Sequence, residues 1–439
     1  MTAGWRWMIV LVAAGGLATA SPEPLAAQQL EVTLPEVTLP EAVRRALDVQ
    51  PAVVQARGAV TTAGWQKRVA YGAFLPTVTL NSSASRQNAA TVGGIGVQIA
   101  PGTYTYNTGL TASIDLFTGF KRLANYKNAD ATEDANDAGL TNERYLVTAA
   151  TAQLFYTALA NDELVRVAQA QLQRAQEERQ ISVNKFQAGA ATRSDTLTST
   201  VDLGNAQLAL LQAQANLATA QGALARQIGE DGPVRAVPDS QFPAPPDTTG
   251  LRGTALQRAP AVAQATAQER AASASVWASR SAYWPSLFAS YSTSSQGLTK
   301  PWDGFDATNK NLNRLQIGLS WTLFNGFQRE QAVAQSSVSL DDARAQTADA
   351  RRQLSAQLTQ QLAATFTAHA QIGITGTNVA AAAEALRVQQ ERYRLGAATL
   401  LDLLTAEANL TQAQVNQVQA RYNYLISRAQ VEALVGHAL

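Results

Sequence analysis

Leu116-Phe117-Thr118-Gly119-Phe120 joins two kinds of sequence, and the same join returns as Leu323-Phe324-Asn325-Gly326-Phe327, 207 residues later. Before each join lies a segment that alternates apolar and polar residues. After each lies a very long stretch free of proline. A second pair follows at the same offset of 207: Phe186-Gln187-Ala188-Gly189-Ala190-Ala191-Thr192 returns as Tyr393-Arg394-Leu395-Gly396-Ala397-Ala398-Thr399. Upstream, Gln50-Pro51-Ala52-Val53 matches Ala259-Pro260-Ala261-Val262, and Ala73-Phe74-Leu75-Pro76 matches Ala282-Tyr283-Trp284-Pro285, both at an offset of 209. The two-residue difference falls between Pro76 and Leu116, most simply in a hairpin loop. A duplication with its length change confined to one loop marks a structural unit copied whole.

The alternating segments read as strands over about 74–86 and 104–117, and again over about 284–295 and 312–324. Tyr104, Tyr106, Leu110, Ala112, Ile114 and Leu116 form one face; Thr105, Asn107, Gly109, Thr111, Ser113 and Asp115 form the other. Val78, Leu80 and Ala84, then Leu287, Ala289 and Tyr291, then Leu315, Ile317, Leu319, Trp321 and Leu323 repeat the pattern. Period two with one apolar face is the signature of strands. It suits a membrane barrel, apolar toward lipid and polar toward the lumen. It equally suits a soluble sheet packed on helices. The polar linkers Gln87 to Gly102 and Gln296 to Asn311 favour the barrel.

The proline-free stretches 120–188 and 327–395 predict helices of 69 residues each, roughly 100 Å long. Shorter helices are expected at 41–71, broken near Pro51, at 192–228, at about 251–283 and at 399–435. The 31 residues of 41–71 and the 37 of 192–228, stacked end to end, span about the length of one long helix. On 192–228 the seam Leu203, Ala206, Leu210, Ala213, Leu217, Ala220, Leu224 predicts close helix packing; an ordinary soluble coiled coil has the same periodicity. The domain plan is then a leader at 1–27, a linker at 28–40, one repeat at 41–228, a proline-rich connector at 229–250 midway along the helices, and a second repeat at 251–439.

Composition narrows the function. Arg6, the apolar run from Trp7, and Ala18-Thr19-Ala20 or Leu25-Ala26-Ala27 read as a signal peptide cleaved after Ala20 or Ala27. The chain holds no cysteine, which removes disulfides, thiolate metal sites and a lipid-bearing cysteine. A net charge of +1 argues against nucleic acid as partner. The two histidines, His369 and His437, lack metal-ligand spacing, and there is no P-loop, GxSxG or HExxH. No metal, cofactor or catalytic residue is expected. Past the leader, no apolar stretch is long enough for a spanning helix, so membrane entry requires a β-barrel. Four strands cannot close one, since bacterial barrels start at about eight. Several chains must share a barrel.

Together these features resemble the TolC-like outer membrane efflux family. The resemblance spans nearly all the mature chain. It rests on Leu39-Pro40-Glu41-Ala42-Val43-Arg44-Arg45-Ala46-Leu47, the paired LFxGF joins, the paired GAAT turns with Asp195 and Asp402, and Ala420-Arg421-Tyr422-Asn423-Tyr424-Leu425-Ile426. It implies a mostly α channel-tunnel with a membrane β-barrel, a homotrimer of twelve strands and twelve helices. Its barrel lies in outer-membrane lipid of a Gram-negative (diderm) bacterium, and its helices lie in the periplasm. It further implies the exit duct of a tripartite efflux pump, passively conducting small molecules outward, with a periplasmic adaptor (membrane fusion) protein and an inner-membrane pump of RND, ABC or MFS type. A type I protein-secretion exit duct is the rival within that class; an exported soluble coiled-coil scaffold is the rival outside it.

The resemblance also assigns residues. Gly189, Ala190, Ala191 and Thr192, with Gly396, Ala397, Ala398 and Thr399, become adaptor-docking turns. On their own chemistry these residues end one helix and cap the next. Asp195 and Asp402 become an acidic constriction at the periplasmic entrance; on their own they favour a helix N-terminus. The sequence departs from the family at Thr405, where a second gate aspartate would stand, and at Ala398, where a gate arginine would. Tyr393, Arg394 and Arg193 are left as gate contacts.

Overall fold

The computed structural model describes residues 34–86, 91–92, 98–99, 104–238, 243, 253, 258–297 and 312–437. The leader at 1–27, most of both strand-linking loops and most of the connector lie outside them. In chain order the elements are β1 (Glu36–Val37), α1 (Leu39–Val49), α2 (Pro51–Gly72), β2 (Thr77–Arg86), β3 (Thr91–Val92), β4 (Gln98–Ile99) and β5 (Tyr104–Thr118). Then come α3 (Lys121–Gln187), α4 (Arg193–Ile228) and β6 (Arg235–Ala236). The second half holds α5 (Pro260–Arg280), β7 (Ser286–Gly297), β8 (Leu312–Ser320), α6 (Gln328–Arg394) and α7 (Leu400–Val435). All of these elements belong to one unit, Pro35–Leu439.

Proline sets two helix starts. Gln50 is extended (φ −64°, ψ 126°) and Pro51 opens α2; Ala259 is likewise non-helical and Pro260 opens α5. Proline has no amide hydrogen to give to a preceding turn, so it serves at a first turn and not inside. The helix α5 therefore opens at Pro260 and ends in a 3-10 turn at Ser281–Tyr283; most of 251–257, where the sequence starts this helix, lies outside the described residues. The end-to-end stacking is visible at both junctions. Gln50 Nε2 donates to the carbonyl of Gln227 at 2.6 Å, joining α2 to α4. Gly436 (φ +77°), past the end of α7, lies so close to Pro260 that an added Cβ would sit 2.8 Å from its Cδ.

The N-terminal linker is partly ordered as a strand. Glu36–Val37 pairs in parallel with Arg235–Ala236 of the connector, and Val37 is fully buried. A core gathers here from Ala42, Ala46, Val53, Phe155, Leu159, Leu224, Ile228, Val234 and Tyr422.

Helix α3 is the middle column. It packs on α2 and α4 on one side and on α5 and α7 on the other; α6 packs on α5 and α7. The columns thus run α2/α4, α3, α5/α7, α6. The main sheet follows the same order, β2-β5-β7-β8, antiparallel throughout. Each strand is continuous with the column below it. In the predicted seam of α4, Ala206, Ala220 and Leu224 are buried and the other members half-buried. A second apolar stripe, Leu197, Val201, Leu208 and Leu211, is exposed. On α6, Val338 and Ile374 are also bare. The two outer columns therefore carry uncovered apolar surface.

Candidate functional site

The register makes both hairpins the same object. Thr77 pairs with Ser113 and Val78 with Ala112; their copies Ser286 and Ser320, and Leu287 and Leu319, pair identically. Across the sheet, Leu80 faces Leu110, Ala112 faces Tyr291, Ala289 faces Ile317 and Leu287 faces Leu319. Side chains alternate faces, so these residues share one apolar face. Val78, Leu80, Leu315, Ile317 and Leu319 are each more than half exposed on it. Among the described residues no helix makes extended contact with this sheet. An apolar sheet face that the chain leaves bare is what hydrocarbon covers. No described helix is long and apolar enough to cross a membrane.

The sheet is coupled to the helices by the duplicated join. Gly119 (φ +60°) and Phe120 (φ +67°), then Gly326 (φ +68°) and Phe327 (φ +64°), place two consecutive residues in the left-handed region. A phenylalanine tolerates this conformation poorly, and each is held by an edge-to-face ring, Phe117 on Phe120 and Phe324 on Phe327, both at 5.5 Å. One arginine closes each corner. Arg122 Nη2 donates to the Leu116 carbonyl at 3.0 Å, and Arg329 Nη1 to that of Thr322 at 2.9 Å.

At the opposite end, the turns 188–192 and 395–399 are built alike. Gly189 (φ +74°) and Gly396 (φ +78°) take the left-handed conformation. Ala190 N–H reaches back to the Lys185 carbonyl at 2.8 Å, and Ala397 N–H to that of Arg392 at 2.7 Å. These bonds close the orphan carbonyls of α3 and α6. Capping boxes then open α4 and α7. Thr192 N–H donates to Asp195 Oδ2 at 2.9 Å while Asp195 N–H donates to Thr192 Oγ1 at 3.2 Å. Thr399 and Asp402 repeat both distances, and the Thr399 hydroxyl adds a bond to Asp402 Oδ2 at 2.7 Å. Those bonds hold the Asp402 carboxyl below the usual aspartate range, so it is charged at neutral pH. Ala190, Ala397 and both threonines are exposed, and Ala191 and Ala398 half-buried.

The three gate residues are not brought together. Tyr393 is buried among Leu386, Leu400 and Leu403, with the Lys185 ammonium 3.7 Å above its ring. Lys185 also donates to the Tyr393 carbonyl, which ties the first turn to the second. Arg394 pairs within its own helix with Glu391 at 3.0 Å. Arg193 is exposed at the start of α4.

One group of residues escaped the sequence reading. Glu178 of α3, Asp202 of α4 and Glu407 of α7 bring carboxylate oxygens within 4.8 Å of one another. Glu178 is 3% exposed and Glu407 8%. Burial, then the neighbouring Glu407 charge, pushes the Glu178 carboxyl up to about 9; burial raises Asp202 and Glu407 as well. The sequence did carry a signal. At the repeat offset the counterparts of Glu178, Asp202 and Glu407 are Ala385, Asn409 and Thr200. Charge that breaks a duplicated pattern, on buried faces, marks a local purpose.

Comparison with known proteins agrees with this geometry. The family model described as outer membrane efflux protein matches residues 42–230 and 251–437. The chain belongs to that family. The pyoverdine export outer membrane protein OpmQ of Pseudomonas aeruginosa is 28% identical over 91% of this chain and 82% of its own. The toluene efflux pump outer membrane protein TtgC of Pseudomonas putida is 23% identical over 84% of this chain and 77% of its own. The solved structure of the outer membrane protein VceC of Vibrio cholerae superposes with a TM-score of 0.77, at 18% identity, over 91% of this chain and 96% of that one. The protein is accordingly an outer membrane efflux protein of TolC-like fold, resident in the Gram-negative outer membrane with its helices in the periplasm. Family members act with adaptor and inner-membrane pump partners. Family and fold are those of channels and not of enzymes.

Proposed function

We propose that three copies close into one barrel of twelve strands continued by twelve helical columns, and that this duct passively conducts small molecules from the periplasm outward. Free energy comes from an inner-membrane pump engaged through a periplasmic adaptor. The supporting observation is the sheet itself. Its outer strands β2 and β8 have unpaired edges, and each unpaired backbone group in hydrocarbon would cost several kcal/mol. The internal β5–β7 contact supplies the template for closure. Ser113 pairs with Ser290 there; at the repeat offsets this becomes Ser320 against Asn81 of the next copy. The chain has no cysteine, so the double variant Ser320→Cys/Asn81→Cys is a clean probe. A ladder of disulfide-linked dimer and trimer on non-reducing gels, absent from each single variant, is expected. Correct membrane insertion without cross-linking would refute the closure.

The exposed turns at Gly189–Thr192 and Gly396–Thr399 are offered as the adaptor-docking tips, and Asp195 and Asp402 as the acidic ring at the entrance. Six carboxylates around a narrow pore attract cations. The capping bonds fix both carboxylates in place and keep that of Asp402 ionised, which suits that role. In planar bilayers Asp195→Asn/Asp402→Asn should lose cation preference; an unchanged preference would remove the constriction.

A further inference from the structure

The carboxylate cluster lies apart from the entrance turns. Glu178 is nine residues from the end of α3 and Asp202 nine from the start of α4, which places them roughly 14 Å along the helices from the turns. The three residues come from three columns, so whatever holds them together also holds α4 and α7 against α3. Both Glu178 oxygens lack a hydrogen-bond partner although the side chain is 97% buried. A carboxylate in that state costs several kcal/mol unless something pairs with it. The nearby cation is Arg174, one turn before Glu178. Its Nη2 donates to Thr411 Oγ1 at 3.2 Å, its buried Nε is unpartnered, and its charge acts on Glu407. Without an ion the Glu178 carboxyl keeps its proton up to about 9; a divalent ion would displace that proton and neutralise the two negative charges that three carboxylates against one guanidinium then leave.

We propose that Glu178, Asp202 and Glu407 form a divalent-cation site, suited to calcium, that pins α3, α4 and α7 together above the entrance turns. The donor set is oxygen alone, which favours hard cations over thiolate- or imidazole-seeking metals. Size selects among the hard ones. An ion centred among three oxygens up to 4.8 Å apart lies at most about 2.8 Å from each. That is a few tenths of an ångström beyond calcium's usual range and far beyond magnesium's. Small side-chain rotations close the first gap. The carboxylates' second oxygens and water complete the shell, and half-buried Asp202 leaves an approach for the ion. The repeat-equivalent junction, with Ala385, Asn409 and Thr200, lacks these ligands. The site therefore occurs once per chain, at the junction between the two helical hairpins.

The test uses full-length protein, purified in detergent, stripped with chelator and dialysed to equilibrium against radioactive calcium. One ion per chain is expected, with affinity about tenfold or more weaker in both Glu178→Gln and Asp202→Asn, since even outer-shell losses cost that much. Asp202→Asn, at the half-exposed ligand, keeps the comparison available should Glu178→Gln misfold. Magnesium should displace calcium poorly. Asp349→Asn, at an exposed carboxylate on α6 paired with Arg352, should bind calcium as wild type does. No binding by the wild type at millimolar calcium, or equal binding by the ligand variants, would overturn the site. Loss of the ion in the Asp195/Asp402 variant would assign it to the pore entrance instead, and would also overturn it.

Discussion

Gly119 and Gly326 occupy the same place in the two repeats, yet within one chain they have different surroundings. A Cβ added at Gly119 would sit 2.6 Å from the Ser281 carbonyl oxygen and 2.6 Å from Trp284 Cβ. Neither atom can swing away, because one is backbone and the other roots a large side chain. A Cβ at Gly326 would meet nothing within 4 Å. Both positions require positive φ, at about 1–2 kcal/mol for an L-residue. Overpacking adds about 1–3 kcal/mol. Gly119→Ala should therefore cost about 2–5 kcal/mol per chain. In an isolated chain Gly326→Ala carries the strain alone. In a closed ring the repeat offsets place Gly326 against Gly72 and Leu75 of the next copy, the counterparts of Ser281 and Trp284, and the overlap returns. The assay is the temperature at which the proposed trimer dissociates in mild detergent, read on native gels. Gly189→Ala, at φ +74° with open space around it, calibrates strain alone. Closure predicts that Gly326→Ala lowers the midpoint about as far as Gly119→Ala, and clearly further than Gly189→Ala. A Gly326→Ala trimer melting like Gly189→Ala would refute the pseudo-symmetric interface.

Other consequences are local. Phe155, 1% exposed in the core where α1, α3 and α4 meet, should lose about 3–5 kcal/mol on replacement by alanine; folded, trimeric yield at 37 °C would report it. Asp402 titrates below its ordinary value because Thr399 binds its charged form. Its contribution to the second turn is therefore present above the unfolded aspartate value near 4 and lost as pH falls through the lower folded value. Hydrogen exchange at 396–402 should accelerate only under that acid condition, and Thr399→Ala should move the acceleration to higher pH; no difference between wild type and Thr399→Ala would deny the capping box its role.

The duplication made much of the architecture readable. Gly119 and Gly326, Gly189 and Gly396, Pro51 and Pro260 each fix a backbone event that few other residues permit, so their spacing announced the two long helices and their ends. Pairing partners were harder to read. Nothing in Glu36-Val37 signals a parallel partner at Arg235-Ala236, since two-residue strands carry no period. Gate contacts are hard to read for a related reason. Tyr393 and Arg394 are adjacent in sequence, but on a helix neighbours point about 100° apart, and one is buried while the other faces water beside Glu391. Asp195 and Asp402 were legible as first-turn acids because the capping motif is local. Glu178, Asp202 and Glu407 show only as breaks in the duplicated pattern, because no spacing relates residues on three helices.

That last group bears on how a duplicated chain acquires asymmetry. In a ring of like repeats, the junction α3–α4–α7 and the junction of α6 and α7 with the next copy's α4 are built on one plan. At the first, Arg174, Glu178, Asp202 and Glu407 bury charge; at the second the counterparts are Ala381, Ala385, Asn409 and Thr200. Alanine and short polar residues pack helices closely without desolvating charge, so the second junction holds by ordinary packing. At the first, burial and the neighbouring carboxylates oppose the ionisation of Glu178, so the joint depends on what neutralises it, a proton or a cation. A ring with alternating junctions of these two kinds cannot loosen evenly. In the closed ring of three copies proposed above, three joints would respond to what neutralises the carboxylates and three would not, and widening above the entrance turns would begin at Glu178, within each chain, before the contacts between chains gave way.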